Sequence, residues 1–172
     1  MAGIRWRPPI VAVVSVFVVT AGLAVSQCGG GEQTPTAATL AATPQCNESL
    51  WSHVYDPARL TVIDACKTVT GVITDHHENA DGDIDVRLAL DPPYVNLLNA
   101  GNISNLNGHL QTEAICQTKI ENADAARACQ GFNGSVVVPP DGTHVQVTGT
   151  YTLDKNHGWM EMHPISVLRV IP

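Results

Sequence analysis

The sequence predicts a mainly β fold, a five-stranded OB-fold-like Greek-key barrel with one short helix between strands 3 and 4. Three observations point to it. From Cys66 onward, segments rich in β-branched residues recur, and one of them, "IDVRLALD", alternates large apolar residues with charged or small ones. A single Ala-rich window, "KIENADAARAC", carries Ile120, Ala123 and Ala126 at helical spacing. The order is then strand, strand, strand, helix, strand, strand. A β-sandwich is the alternative, and the chain does not supply its seven strands.

The elements follow in turn. "CKTVTGVITD", from Cys66, is the first strand, with Gly71 at its centre where a coiled strand needs a bulge or bend. Asp81-Gly82 is a hairpin signal. The second strand puts Ile84, Val86, Leu88 and Leu90 on one face and Asp85, Arg87, Ala89 and Asp91 on the other. After a loop to Gly108 comes "HLQTEAIC", then the Ala-rich helix, then "THVQVTGTYTLD". "WMEMHPISVLRVI" is the fifth strand, and Pro164 within it requires an edge or a bulge.

The first 27 residues read as a signal peptide, with Arg5 and Arg7 ahead of an uncharged run of 16 residues from Ile10 to Val25. That run is shorter than the roughly 20 residues of a membrane span. "VSQC" resembles a lipoprotein processing site, which would make Cys28 the lipid-attachment residue. Gln27 departs from the small residue usual before that cysteine, and cleavage after Ser26 would instead release a secreted protein. Residues 28–45 form a Thr/Ala/Pro/Gly-rich linker and 46–65 a lead-in, which leaves 66–172 for the barrel domain. The expected location is extracytoplasmic, on the cell membrane through the lipid.

Five cysteines are an awkward number for an oxidising compartment, but lipid on Cys28 leaves four. Cys46–Cys66 and Cys116–Cys129 are the favoured disulfides because each pair flanks one short segment, although three connectivities are open. No C-x₂₋₄-C spacing supports a zinc ribbon. Without Arg5 and Arg7, seven positive charges face sixteen negative ones, a net charge near −9. Such a surface repels phosphate and excludes nucleic acid as a partner.

"VTG" (69–71), "DGDIDVRL" (81–88), "GHLQTEAIC" (108–116), "HVQVTGTYTLD" (144–154) and "HGWMEMHP" (157–164) together resemble a group of small exported bacterial domains of unassigned function. Those domains are OB-like barrels ending in an H-G-W-x-E-x-H-P segment. The resemblance spans about residues 66–170 and implies the fold; it implies no activity.

Two stretches hold the candidate site residues. On a strand, His157, Trp159, Glu161 and His163 share one face, while Met160 and Met162 take the other as the core face. The polar set is therefore expected outside or at the barrel rim. His157 and His163 are roughly 20 Å apart on a straight strand, too far for one ion. Glu161 and His163 could share a divalent metal with a third ligand such as His109 or His144. The second stretch, "HHENADGD", offers His76, His77, Asp81 and Asp83. It is no EF-hand, since the sixth and twelfth positions from Asp81 are Val86 and Pro92.

In an OB-fold the loops 76–83 and 153–158 flank one binding face. The expected ligand rim is therefore His76, His77, Asp81, Asp83, Lys155, Asn156, His157 and Trp159. No nucleophile elbow, H-E-x-x-H or phosphate loop occurs, and the sequence names no catalytic residue. The expected function is non-catalytic binding of an unknown small ligand or envelope protein, without a cofactor. The alternative is a metal-dependent hydrolase with a histidine/carboxylate site.

Overall fold

The computed structural model describes residues 45–172. The expected signal peptide, Cys28 and nearly all of the expected linker lie outside the described residues. Five strands form one sheet: β1 (Leu60–Glu78), β2 (Ile84–Leu90), β3 (Leu110–Ala114), β4 (His144–Asp154) and β5 (Trp159–Val170). Their order is β1-β2-β3-β5-β4, and β4 pairs in turn with β1, so every strand has two neighbours. All pairs are antiparallel except β3–β5. Among the described residues, no helix is long and apolar enough to cross a membrane.

β1 is 19 residues long because it serves two partners. Its first part pairs with β4 and its second with β2, and Gly71 and Val72 pair with both. A Cβ on Gly71 would lie 2.5 Å from the Ala89 carbonyl oxygen, so this crossing point admits only glycine. The register shift expected at Gly71 falls instead between Ile73 and Asp75 and between Val62 and Lys67. The strand begins at Leu60, six residues before the β-branched run suggested. Pro164 does sit in a bulge, opposite Gly149, whose Cβ would meet the Pro164 carbonyl oxygen at 2.5 Å.

Period-2 alternation places one side chain in two inside the sheet. Val69, Ile73, Val86, Leu88, Leu110, Val145, Val147, Tyr151, Met162 and Ile165 form this core. A second apolar cluster lies elsewhere: Leu50 and Val54 from the lead-in, Leu60, and Ile115, Cys116 and Cys129 from the segment after β3. His53 stacks on Phe132 with ring centroids 4.2 Å apart, and disulfides join Cys46 to Cys66 and Cys116 to Cys129.

The helix is not where the alanines suggest. Residues 123–131 form successive turns, closed by bonds such as Ala125 N–H to the Asn122 carbonyl (3.1 Å) and Ala128 N–H to the Ala125 carbonyl (2.9 Å). The Cys116–Cys129 bond holds one end of this segment. Glu121 and Asn122 both donate to the Ala80 carbonyl at 2.7 Å, which fixes the other end to the β1–β2 turn. These tethers outweigh a propensity worth only tenths of a kcal/mol per residue. The α-helix, α1 (Ala100–Asn105), lies between β2 and β3. A reciprocal Asn99/Asn102 capping box starts it, and the buried Asn102 amide donates to the Met160 carbonyl at 2.8 Å, fastening α1 to β5.

Candidate functional site

Residues 161–165 of β5 are buried on both faces. Met162 faces the core as the alternation requires, yet Glu161 and His163 on the opposite face are 0 % exposed. The expectation that this polar face lies open is corrected, for its partners enclose it. The parallel pairing of β3 with β5 sets Gln111 beside Glu161 and Thr112 beside Met162, which brings Glu113 to His163. His163 Nδ1 lies 2.6 Å from Glu113 Oε2 and 3.2 Å from Glu161 Oε1. Trp159 donates its indole N–H to Glu161 Oε2 at 2.9 Å.

Arg59, just ahead of β1, completes the network. Its guanidinium lies 3.6 Å from Glu113 and 3.5 Å from Glu161, and it donates to Asp154 at the end of β4. Asp83, at the end of the β1–β2 turn, accepts the Cys116 backbone N–H at 2.7 Å. Four nearly buried carboxylates (Asp83, Glu113, Asp154 and Glu161) thus share two cations, Arg59 and His163.

The proton affinities follow from this imbalance. Burial alone would lower the His163 pKa, but Glu113 and then Glu161 favour the imidazolium and push it up to about 10. Burial works to raise Glu113, and His163 and Arg59 reverse that and hold it below its ordinary value. Asp154 is lowered by His157 and Arg59 against its burial. For Asp83, burial and the neighbouring Asp81 outweigh the Cys116 N–H and the charge of His163 and raise it to about 7. Asp85, paired across the sheet with Glu113, rises to about 6 through burial and that neighbour.

The 155–158 turn grows from this network. Asp154 Oδ1 accepts the backbone N–H groups of Asn156 (2.7 Å) and His157 (3.1 Å), and Oδ2 lies 2.9 Å from His157 Nδ1. The His157 ring stacks on Trp159 at 4.3 Å with planes 8° apart, and its side chain is half exposed. Lys155 and Asn156 are exposed beside it. Four of the eight expected rim residues therefore share one small feature whose back is a buried ion network.

The other four are placed differently. His76 and His77 lie within β1 and face Asp141 (2.6 Å) and Asp85 (3.4 Å). Asp81 accepts the Asp83 backbone N–H, which stabilises the turn. Asp83 does not line an open rim, because its carboxylate turns inward and is 3 % exposed. Among the described residues, no hydrogen bond, ion pair or ring contact joins His76, His77 or Asp81 to His157 or Trp159.

Glu161 and His163 do come together, and the third group is Glu113 rather than His109 or His144. His109 faces Thr74 at 3.2 Å, and His144 bridges Asp91 and the Pro172 carbonyl. Arg59 and Glu113 had no place in the sequence-based site. The signal for Glu113 was there: a lone carboxylate in a strand whose neighbours are mostly apolar or uncharged. Nothing local marks Arg59. A separate recess of about 100 Å³ lies between Leu50, Ile115, Phe132, Val136 and Ser166. Comparison with known proteins finds no matching family model, and no curated protein or solved structure similar to this chain.

Proposed function

We propose that this chain is an exported, lipid-anchored OB-type barrel that binds a ligand without transforming it, at the turn of Lys155, Asn156, His157 and Trp159. The strand order β1-β2-β3-β5-β4, with its single parallel pair, supports the OB reading, which the likeness to small exported domains also implied. Two disulfides suit an oxidising extracytoplasmic location. The observation that carries the binding role is the His157–Trp159 stack. Its outer edge is open, while Asp154 and Glu161 hold both rings from behind. A stacked pair held in this way offers a flat ring surface beside the exposed Lys155 and Asn156 and loses little entropy on binding, which suits a sugar or an extended peptide.

The nearby carboxylates are engaged with Arg59, His163 and backbone amides, as befits support rather than catalysis. A metal-dependent hydrolase, the alternative reading, would have its Glu113–His163 centre below the surface, where a scissile bond has no approach. The test is retention of the exported protein on immobilised oligosaccharides and peptides. Trp159→Ala is expected to reduce capture at least about tenfold, a typical cost for losing an aromatic anchor, with an unchanged far-ultraviolet spectrum. Equal capture by the variant would refute the rim.

A further inference from the structure

The buried network holds more negative charge than its two cations balance, and one corner of it is shaped for a metal. Asp83, Glu113 and His163 each present a ligand atom, all within 4.8 Å of one another and all from buried side chains. They come from three separate elements: the β1–β2 turn, β3 and β5. A point equidistant from three atoms at that widest spacing is about 2.8 Å from each, so small side-chain rotations reach the ~2.0–2.2 Å bonds of zinc.

The histidine is the second, independent observation. Its Nδ1 lies 2.6 Å from Glu113 Oε2 and 3.2 Å from Glu161 Oε1, so an ion that takes the place of the Nδ1 proton meets the imidazole and the Glu113 carboxylate together. The ring is fully buried, and Nε2 has no hydrogen-bond partner. An unpaired N–H is costlier on an imidazolium than on a neutral ring, and an ion at Nδ1 in place of the proton leaves the ring neutral. The nearby Cys116 and Cys129 sulfurs also approach Asp83, but their disulfide uses the electrons a thiolate would offer.

We infer that Asp83, Glu113 and His163 form a binding site for one divalent cation of the zinc class, which clamps the β1–β2 turn onto β3 and β5. An imidazole with two carboxylates is a nitrogen–oxygen donor set that suits zinc and excludes soft thiolate-seeking ions. Binding exchanges protons for the metal: the imidazolium proton of His163, and that of Asp83 where it is protonated, pass to solvent, and no electron moves. The site lies beneath the Trp159 turn and does not depend on the ligand-binding reading.

The test is zinc chloride added to the chelator-stripped mature protein with its disulfides intact. Equilibrium dialysis is expected to give one tightly held zinc per chain, with a melting temperature raised by about 5 °C or more. X-ray absorption at the zinc edge is expected to show nitrogen and oxygen ligands, one of them imidazole, and no sulfur. Asp83→Asn, close to isosteric, is expected to fold and to weaken zinc binding about 100-fold. Asp141→Asn, at the exposed His76 pair, is expected to leave it unchanged. No zinc retained, sulfur in the absorption spectrum, or Asp83→Asn binding as tightly as the parent would each overturn the site. Spectroscopy on the unmodified protein keeps the test decisive if a variant fails to fold.

Discussion

Replacing His163 by glutamine is expected to destabilise the chelator-stripped protein by about 3–5 kcal/mol, the typical cost of removing one partner of a buried ion pair. The size follows from what is left behind. Glu113 and Glu161 are nearly or wholly inaccessible, and without the imidazolium they share only the guanidinium of Arg59, at 3.6 and 3.5 Å. A denaturant titration of the disulfide-intact protein measures the loss. Adding Glu113→Gln should restore about half of it, because the stranded charge is then gone, and the double-mutant cycle should show coupling of at least about 1.5 kcal/mol. A loss under about 1 kcal/mol from His163→Gln would mean that the network is solvated and contributes little.

The second large effect is on pH. Asp83 rises from 3.8 to about 7 on folding, so its contribution is fully present below about pH 4 and is lost as pH climbs through 7. Asp85, raised to about 6, has the same sign. His163, raised from 6.5 to about 10, contributes fully below pH 6.5 and loses that contribution toward pH 10. Glu113 and Asp154 act the other way: both are lowered, and their contributions fade only as pH falls below the ordinary carboxylate range. In chelator, the melting temperature should peak near pH 5 and fall by at least about 5 °C by pH 9. Asp83→Asn should flatten the slope between pH 5 and 7, and His163→Gln the slope above 7. A melting temperature that rises from pH 5 to 9 would contradict these assignments.

The strands were legible because their signals are local. Alternation from Ile84 to Leu90 placed a core face, Asp81-Gly82 marked a turn, and Met162 went inward opposite Glu161. Close spacing in sequence favoured the two disulfide pairs that the structure contains. What the sequence concealed depends on distant chain. Whether Glu161 and His163 are open or buried is decided by Arg59, Glu113 and Asp154, which come from the lead-in, β3 and the end of β4. The absence of a helix at 119–129 likewise depends on Ala80 and Cys116 pinning that segment. That Lys155, Asn156, His157 and Trp159 lie together was readable because they fall within five consecutive positions. The other four expected rim residues were joined to them by fold analogy, and in the structure those residues have partners of their own.

The most direct test of the proposed binding role is an amide NMR titration of the isotope-labelled, disulfide-intact protein with a panel of oligosaccharides and peptides. The account predicts at least one compound whose addition shifts the amides of residues 155–159 and the Trp159 indole N–H together. Shifts confined to the recess at Phe132 and Val136, or a panel that leaves the 155–159 turn unmoved, would contradict it.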